Sequence, residues 1–352
     1  MKKIGIVTFQ RALNYGALLQ MYALHRFVSE HFREFDVTVV DYYSPLCEKE
    51  SKGLKNKNVV LMLLKKVYYA VKEYNFRSFV NRNIKISKKI NIENVAGIAN
   101  DYDVMIAGSD QIWNPSITDG DMNYLLSFSN SPTKISYAAS IGKTELSAEY
   151  VDCYKKHLGA FKNISVRELS AKAIVDNLFE KDTAVVNIDP TLLLTSEQWN
   201  ALANKSTVNN YLFVYQVCYS ESLLFKAREF AHNKGLKVVY VGPFTKMKGV
   251  CYVPAPSIEK LLSLFKNSEY VFTNSFHGTV FSMQYNKRFF VDLMFSDGRN
   301  DRITDLLKMC DLYNRLDLEN IDVFPNWGIF NYRMAQERKK ALEYFCNSLC
   351  EA

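Results

Sequence analysis

The strongest chemical signal in this chain is the stretch Tyr270-Val271-Phe272-Thr273-Asn274-Ser275-Phe276-His277-Gly278-Thr279. An apolar run passes into a short polar loop and then into helical spacing from about Gly278. That order places the loop at the carboxyl edge of a parallel strand, where open α/β sheets bind ligands. A helix starting there turns free N–H groups toward the cleft and favours an anion. Asn274, Ser275 and Thr279 add polar side chains, and Gly278 lets a ligand approach the backbone. Among them His277 carries an imidazole that gives or takes a proton near neutral pH. Acid–base chemistry on an anionic substrate is the reading; a histidine that merely closes the helix is the alternative.

Arg167 follows the apolar run Ile164-Ser165-Val166 and precedes Glu168, again at a strand's carboxyl end. A planar, permanently charged fork there suits a carboxylate or phosphate, or else an ion pair with a neighbouring acid. Asn14-Tyr15-Gly16 and Gly108-Ser109-Asp110-Gln111 take the equivalent place after two other strands, where glycine serves geometry or ligand approach. Arg299 and Arg302, in Gly298-Arg299-Asn300-Asp301-Arg302, add positive charge at a helix start. Absent motifs narrow the chemistry further. There is no Walker loop, no Gly-x-Gly-x-x-Gly in the first βα turn, no Gly-x-Ser-x-Gly elbow and no metal-spaced His/Cys/carboxylate cluster. Nucleotide-driven phosphoryl transfer, nicotinamide redox, serine hydrolysis and a resident metal all lose support.

Strands and helices must hold these loops in place. Residues 4–9 and 37–40 are unbroken apolar runs, as buried parallel strands require, with helical spacing over 17–27 between them. Residues 48–100 interrupt the rhythm with a Lys- and Asn-rich stretch and a helical pattern over about 59–80. That helix is either an insertion packed on the domain or an amphipathic surface meeting a membrane or a lipid-borne substrate. Strand patterns return at 103–107, 134–138, 164–166 and 184–187, with a helix near 169–179. A second series follows at 211–217, 237–241, 270–273 and 288–292, with helices at 221–234, 257–267 and 278–286. The alternation predicts an α/β protein of two Rossmann-like domains facing a cleft. They span 1–203 and 204–331, with a polar linker at 204–210, and a C-terminal helix within 332–352 packs back on the first.

The 352 residues carry 44 Lys and Arg against 37 Asp and Glu, a net charge of +7 spread along the whole chain. Dispersed charge of this size suits an enzyme of anionic substrates and argues against nucleic-acid binding, which needs a concentrated basic stripe. The 7 cysteines show no paired short spacing and fit reduced thiols rather than a disulfide frame. The first residues lack a signal-peptide pattern, and no apolar run approaches the roughly 20 residues of a membrane span. A cytoplasmic enzyme is the expectation.

Taken in order and spacing, several of these segments resemble the polysaccharide pyruvyl transferases. The resemblance runs over roughly residues 3–310. It rests on Asn14-Tyr15-Gly16-Ala17, Gly108-Ser109-Asp110-Gln111-Ile112-Trp113-Asn114 and Ser136-Tyr137-Ala138-Ala139-Ser140. Further matches are Ser165-Val166-Arg167-Glu168, Asp189-Pro190-Thr191-Leu192-Leu193 and Asn274-Ser275-Phe276-His277-Gly278.

The resemblance implies an architecture like that of the two-domain GT-B glycosyltransferases. It implies transfer of pyruvate from phosphoenolpyruvate to sugar hydroxyls, giving a cyclic ketal on a bacterial surface polysaccharide precursor. Arg167 and His277 carry over as the catalytic pair. Around them the residue reading sets Asn14, Tyr15, Gly16, Ser109, Asp110, Gln111, Asn274, Ser275, Gly278, Thr279 and Arg302 as substrate-binding candidates. No cofactor is expected beyond the donor, and the acceptor is a sugar, free or on a lipid diphosphate met at the inner face of the membrane. One position departs from the pattern: many members carry arginine two residues before the histidine, where this chain has Ser275. The donor phosphate then needs another cation. The alternatives are a GT-B-like glycosyltransferase using a nucleotide sugar and a non-catalytic glycan-binding assembly protein.

Overall fold

The computed structural model describes residues 1–44, 59–205, 209–294 and 300–349. The start of the 48–100 insertion, residues 206–208 of the linker, and Gly298 and Arg299 lie outside the described residues. The first half runs β1 (Lys2–Val7), α1 (Tyr15–His31), β2 (Phe35–Val39), β3 (Tyr42–Tyr43), α2 (Val59–Asn83), β4 (Ile90–Asn91) and β5 (Val104–Ala107). It continues α3 (Pro115–Thr118), β6 (Thr133–Ser136), α4 (Ala148–Leu158), β7 (Ile164–Val166), α5 (Leu169–Phe179), β8 (Ala184–Val186) and α6 (Ser196–Asn200). The central sheet has the order β2-β1-β5-β6, all parallel, with Ile4 opposite Val37 on one side and Val104 on the other. The parallel pair β7-β8 extends it through bridges Ile135–Asn163 and Ala139–Val166. Ile4, Ile6, Val104 and Ile106 are fully buried. A sheet covered on both faces needs apolar side chains at successive positions, which is why these strands read as unbroken runs.

The second half contains β9 (Tyr211–Tyr215), α7 (Glu221–Lys234), β10 (Lys237–Val241), β11 (Val250–Tyr252), α8 (Ile258–Asn267) and β12 (Tyr270–Thr273). It closes with α9 (Phe276–Gln284), β13 (Arg288–Val291), α10 (Asp301–Met309) and α11 (Trp327–Leu349). Its sheet, β11-β10-β9-β12-β13, is likewise parallel. In each sheet the chain steps outward on one side of a first strand and then returns to its other side. The reversals fall between β1 and β5 and between β9 and β12. At such switch points the loops diverge and leave a crevice beyond the carboxyl ends of the strands. Residues 14–16 lie where the loop after β1 enters α1, 109–111 lie in the loop after β5, and 274–278 lie where the loop after β12 enters α9.

The halves share one apolar core that includes Leu18 and Leu24 of α1 and Phe265 and Phe281 of α8 and α9. Helix α11 begins at Trp327, ahead of the 332 read from the sequence, and joins both halves. Its Trp327 stacks on Phe289, while Phe345 stacks on Tyr137 and Tyr344 Oη donates to Ser136 O at 2.7 Å. Helix α2 buries Phe76, Phe79 and Val80 and leaves Leu63, Leu64, Val67, Val71 and Tyr74 exposed. It is therefore a packed insertion that also bears an apolar outer row. Among the described residues no helix is long and apolar enough to cross a membrane.

Candidate active site

The loop after β12 is built by short-range capping. Thr273 Oγ1 donates to Tyr215 O at 2.7 Å and accepts from Ser275 N at 3.1 Å. Ser275, in extended conformation, accepts the Gly278 N–H on its hydroxyl at 3.3 Å and so caps α9. The helix thus starts at Phe276, two residues before the Gly278 start expected from the pattern, and His277 lies in its first turn. Gly278 is required for packing: a Cβ there would lie 2.1 Å from Thr273 Oγ1. Thr279 spends its hydroxyl on Ser275 O at 3.1 Å. Asn274 accepts from Val217 N and donates to Cys218 O, tying two loops together.

Across the cleft, Asn14 caps α1 by accepting from Gly16 N at 2.8 Å and Ala17 N at 3.4 Å. Tyr15 Oη donates to Pro256 O at 2.7 Å, binding the first half to the second. Gly16 then presents bare backbone to His277: a Cβ on Gly16 would stand 2.1 Å from Nδ1 of the imidazole. Asn14 and Tyr15, expected to meet substrate, have their side-chain oxygens engaged with protein partners and help to frame the seat of His277.

The other ring nitrogen, His277 Nε2, has no hydrogen bond and stands 3.7 Å from Asp189 Oδ2. Asp189 is fully buried; its Oδ1 accepts from Thr191 N and Oγ1, and its Oδ2 accepts from Arg167 Nη1 at 2.8 Å. Burial alone would raise this carboxyl, but His277, Arg167 and Thr191 together hold it well below the usual carboxylate range. Arg167, its side chain 2% exposed, also faces Asp110 at 3.5 Å and Glu168 at 3.7 Å. Burial opposes its charge, yet the three carboxylates raise its pKa above the ordinary value. The expected free anion clamp is thus the hub of an ion network. Its alternative reading, pairing with an acid, describes Nη1, while Nε and Nη2 remain without hydrogen bonds.

Glu168 is anchored by Ser140 Oγ at 2.6 Å and Gly142 N at 3.2 Å. Asp110 adopts φ +75°, a left-handed conformation that is strained for a non-glycine residue, and caps Gln111 N with its carboxylate. Ser109 is fully buried with an unpartnered hydroxyl, whereas Gln111 accepts from Asn114 Nδ2 and lies against Gly142.

Arg302, on α10, differs from Arg167. Both guanidiniums approach the Phe276 ring, at 5.6 Å and 5.3 Å from its centroid. Arg302 Nε is buried and unpaired, and no carboxylate forms an ion pair with Arg302 among the described residues. Burial first, and the like charge of Arg167 second, bring its pKa down to about 10. A largely desolvated cation with no ion-pair partner among the described residues, beside the first turn of α9, is suited to an anion that arrives from outside.

The model of the polysaccharide pyruvyl transferase family matches residues 14–291, most of the chain, and the match takes in Arg167, Asp189 and His277. The chain belongs to the polysaccharide pyruvyl transferase family. Arg302 lies outside the matched stretch. No curated protein matches by sequence. Among solved structures, one from Listeria monocytogenes, assigned as a UDP-N-acetylglucosamine 2-epimerase, superposes with a TM-score of 0.58 at 13% identity, over 100% of this chain and 97% of that one. The Neisseria meningitidis UDP-GlcNAc 2-epimerase bound to UDP-GlcNAc gives 0.52 at 10% identity, over 99% and 100%. The S. aureus MnaA–UDP structure gives 0.52 at 11%, over 99% and 98%. At these identities the likeness is one of fold: this pyruvyl transferase has the GT-B-like α/β architecture.

Three participants in the site escaped the sequence reading. Asp189 carries no local mark of its role, because nothing along the chain shows that it meets His277. Glu168 and Phe276 are marked only as sequence neighbours of Arg167 and His277. The adjacency of acid to arginine and of ring to imidazole was the only available signal.

Proposed function

We propose that this pyruvyl transferase takes its three-carbon unit from phosphoenolpyruvate and joins it to two hydroxyls of a sugar as a cyclic ketal. The observation that carries the reading is one site holding both an imidazole that faces a buried carboxylate and Arg302, a partly buried cation with no ion-pair partner among the described residues. Protonated His277, paired with Asp189, delivers its proton to the methylene carbon of the donor, which becomes the methyl group. The cationic C2 so formed accepts the oxygen of one acceptor hydroxyl, and that hydroxyl's proton returns to the imidazole. The C2–O bond to phosphate then breaks, and the second hydroxyl adds to C2, its proton leaving with the phosphate. Arg302 and the N-termini of α1 and α9 hold the donor's anionic groups, which supports Arg302 in the place left by Ser275. Arg167 acts behind them by fixing Asp189. The exposed apolar row of α2, in a helix with five basic residues and one acid, supports an acceptor carried on lipid at a membrane surface.

The test is ligand-induced thermal stabilisation followed by turnover. Phosphoenolpyruvate should raise Tm, UDP should not, and Arg302→Gln should abolish the donor's shift. Stabilisation by UDP in place of phosphoenolpyruvate would favour glycosyl transfer. Phosphate release that requires a polysaccharide precursor completes the assignment.

A further inference from the structure

A second cation near the cleft has no use in this chemistry. Lys72 of α2 is half-buried, and no hydrogen bond or ion pair engages its amine among the described residues. Three rings surround it instead: Tyr15 at 5.0 Å, Phe76 at 5.7 Å and Tyr68 at 5.9 Å from the ammonium. Buried lysines are rarely left unpaired, because a desolvated ammonium is costly. Ring faces recover part of that cost but use none of the three N–H donors.

The position is as telling as the chemistry. Tyr15 immediately precedes Gly16, whose backbone touches His277. Tyr215 and Tyr252 stand at the carboxyl ends of β9 and β11, on the cleft side of the second sheet. Tyr15 packs edge-on against Phe76 at 4.9 Å between ring centroids, and burial first of all pushes its phenol well above the ordinary value. Helix α2 holds the cluster between the halves: Asn75 donates to Ala255 O at 2.9 Å, and Arg82 pairs with Glu259 at 2.6 Å.

We propose that Lys72 and the ring of Tyr68 beside it form a subsite for a phosphate-linked sugar, with the buried Tyr15 and Phe76 rings as its floor. The ammonium takes the phosphate as a point charge, and the amphipathic Tyr68 takes the sugar, apolar face against ring and hydroxyl against phenol. Its identity as the acceptor end rests on the pyruvyl-transfer reading; the binding site itself does not.

The experiment uses the full chain and titrates glucose 1-phosphate and inorganic phosphate by calorimetry into wild type, Lys72→Met and Tyr68→Leu. Wild type should bind glucose 1-phosphate more tightly than phosphate. Lys72→Met should weaken both at least tenfold while its unliganded Tm holds or rises, because an uncompensated charge has been removed. Tyr68→Leu should weaken only the sugar phosphate. Burial brings the Lys72 amine down to about 8, so wild-type affinity should fall between pH 7 and 9. Glucose 1-phosphate, a monoester with a second pKa of about 6, is already mostly dianionic there, and the facing phenols stay protonated, with Tyr68 pushed up to about 12 and Tyr15 raised too. Equal binding by wild type and Lys72→Met, or no binding of glucose 1-phosphate by wild type at millimolar concentration, would overturn the subsite. Phosphoenolpyruvate titrated in parallel separates the readings: its failure to bind wild type counts against the donor and leaves the Lys72 result standing.

Discussion

Gly16→Ala is the sharpest perturbation the geometry offers. The new Cβ would sit 2.1 Å from His277 Nδ1, 2.5 Å from Cε1 and 2.7 Å from Cγ. Ordinary van der Waals contact begins at 3.4 Å, so the ring must retreat by about 1.3 Å. Overpacking of this kind costs about 1–3 kcal/mol. Gly16 lies in the first turn of α1, where alanine regains up to about 1 kcal/mol of helix propensity, so the net loss of stability is small. The chemical loss is not small. Displacing a proton donor by about 1 Å costs on the order of 10²-fold in rate. The variant should therefore keep a Tm within a few degrees of wild type while kcat for phosphate release falls about a hundredfold. Glycine at 16 would be exposed as a simple turn residue, and the His277 argument lost, if Gly16→Ala turned over at the wild-type rate.

Three further outcomes follow from the same cluster. His277→Ala should leave Tm nearly unchanged and lower kcat by about 10²–10⁴-fold, the usual contribution of a general acid; near-full activity in a folded variant removes it from the mechanism. Arg167→Met should cost about 3–5 kcal/mol by stranding buried Asp189, and Arg167→Lys should lower Tm more than it raises KM for phosphoenolpyruvate. An unchanged Tm with a large rise in KM would restore Arg167 as a substrate clamp. Asp189, held well below its ordinary pKa, contributes stability that is present above about pH 4 and lost as pH falls through lower values. The Tm difference between wild type and Asp189→Asn should accordingly shrink below about pH 4, and a constant gap would refute the depression.

Much of this architecture was legible because buried parallel strands and capped helices leave local marks. Residues 164–166, 237–241 and 270–273 were read with the bounds that the strands have. The helices at 221–234 and 169–179 likewise fall where the pattern put them. Edge strand β11 escaped, since three residues without a buried side chain carry no periodicity, and so did α4, while α10 was marked only by its start. In the site, local signals located His277 and Arg302 but could not tell ligand contacts from frame. Ser275 and Asn14 have the chemistry of binding residues, and their oxygens cap helices. Which oxygen is spent is decided by partners two or three residues away, as here, whereas Arg167 is decided by Asp189, 22 residues on. Spacing along the chain records the first kind of contact and is silent about the second.

That difference between the two arginines carries a last prediction. The cluster holds two guanidiniums, Arg167 and Arg302, against three carboxylates, Asp110, Glu168 and Asp189. Its formal charge is −1 with His277 neutral and zero with His277 protonated. A polyanionic donor cannot enter a negative, water-poor site without a large electrostatic cost, so binding must favour the imidazolium. The same proton is the one that the chemistry consumes. Donor binding and acid loading are thus a single linked event, and phosphoenolpyruvate should bring a proton with it from solvent. Calorimetric titration near pH 7.5 in two buffers of different ionisation enthalpy reads this directly: the apparent enthalpies should differ by up to one proton's worth. Wild type should bind more weakly as pH rises, because the linkage favours the protonated form. In His277→Gln the uptake should vanish while some affinity remains through Arg302. Uptake that persists unchanged in His277→Gln would assign the proton to another group and break the link between charge balance and catalysis.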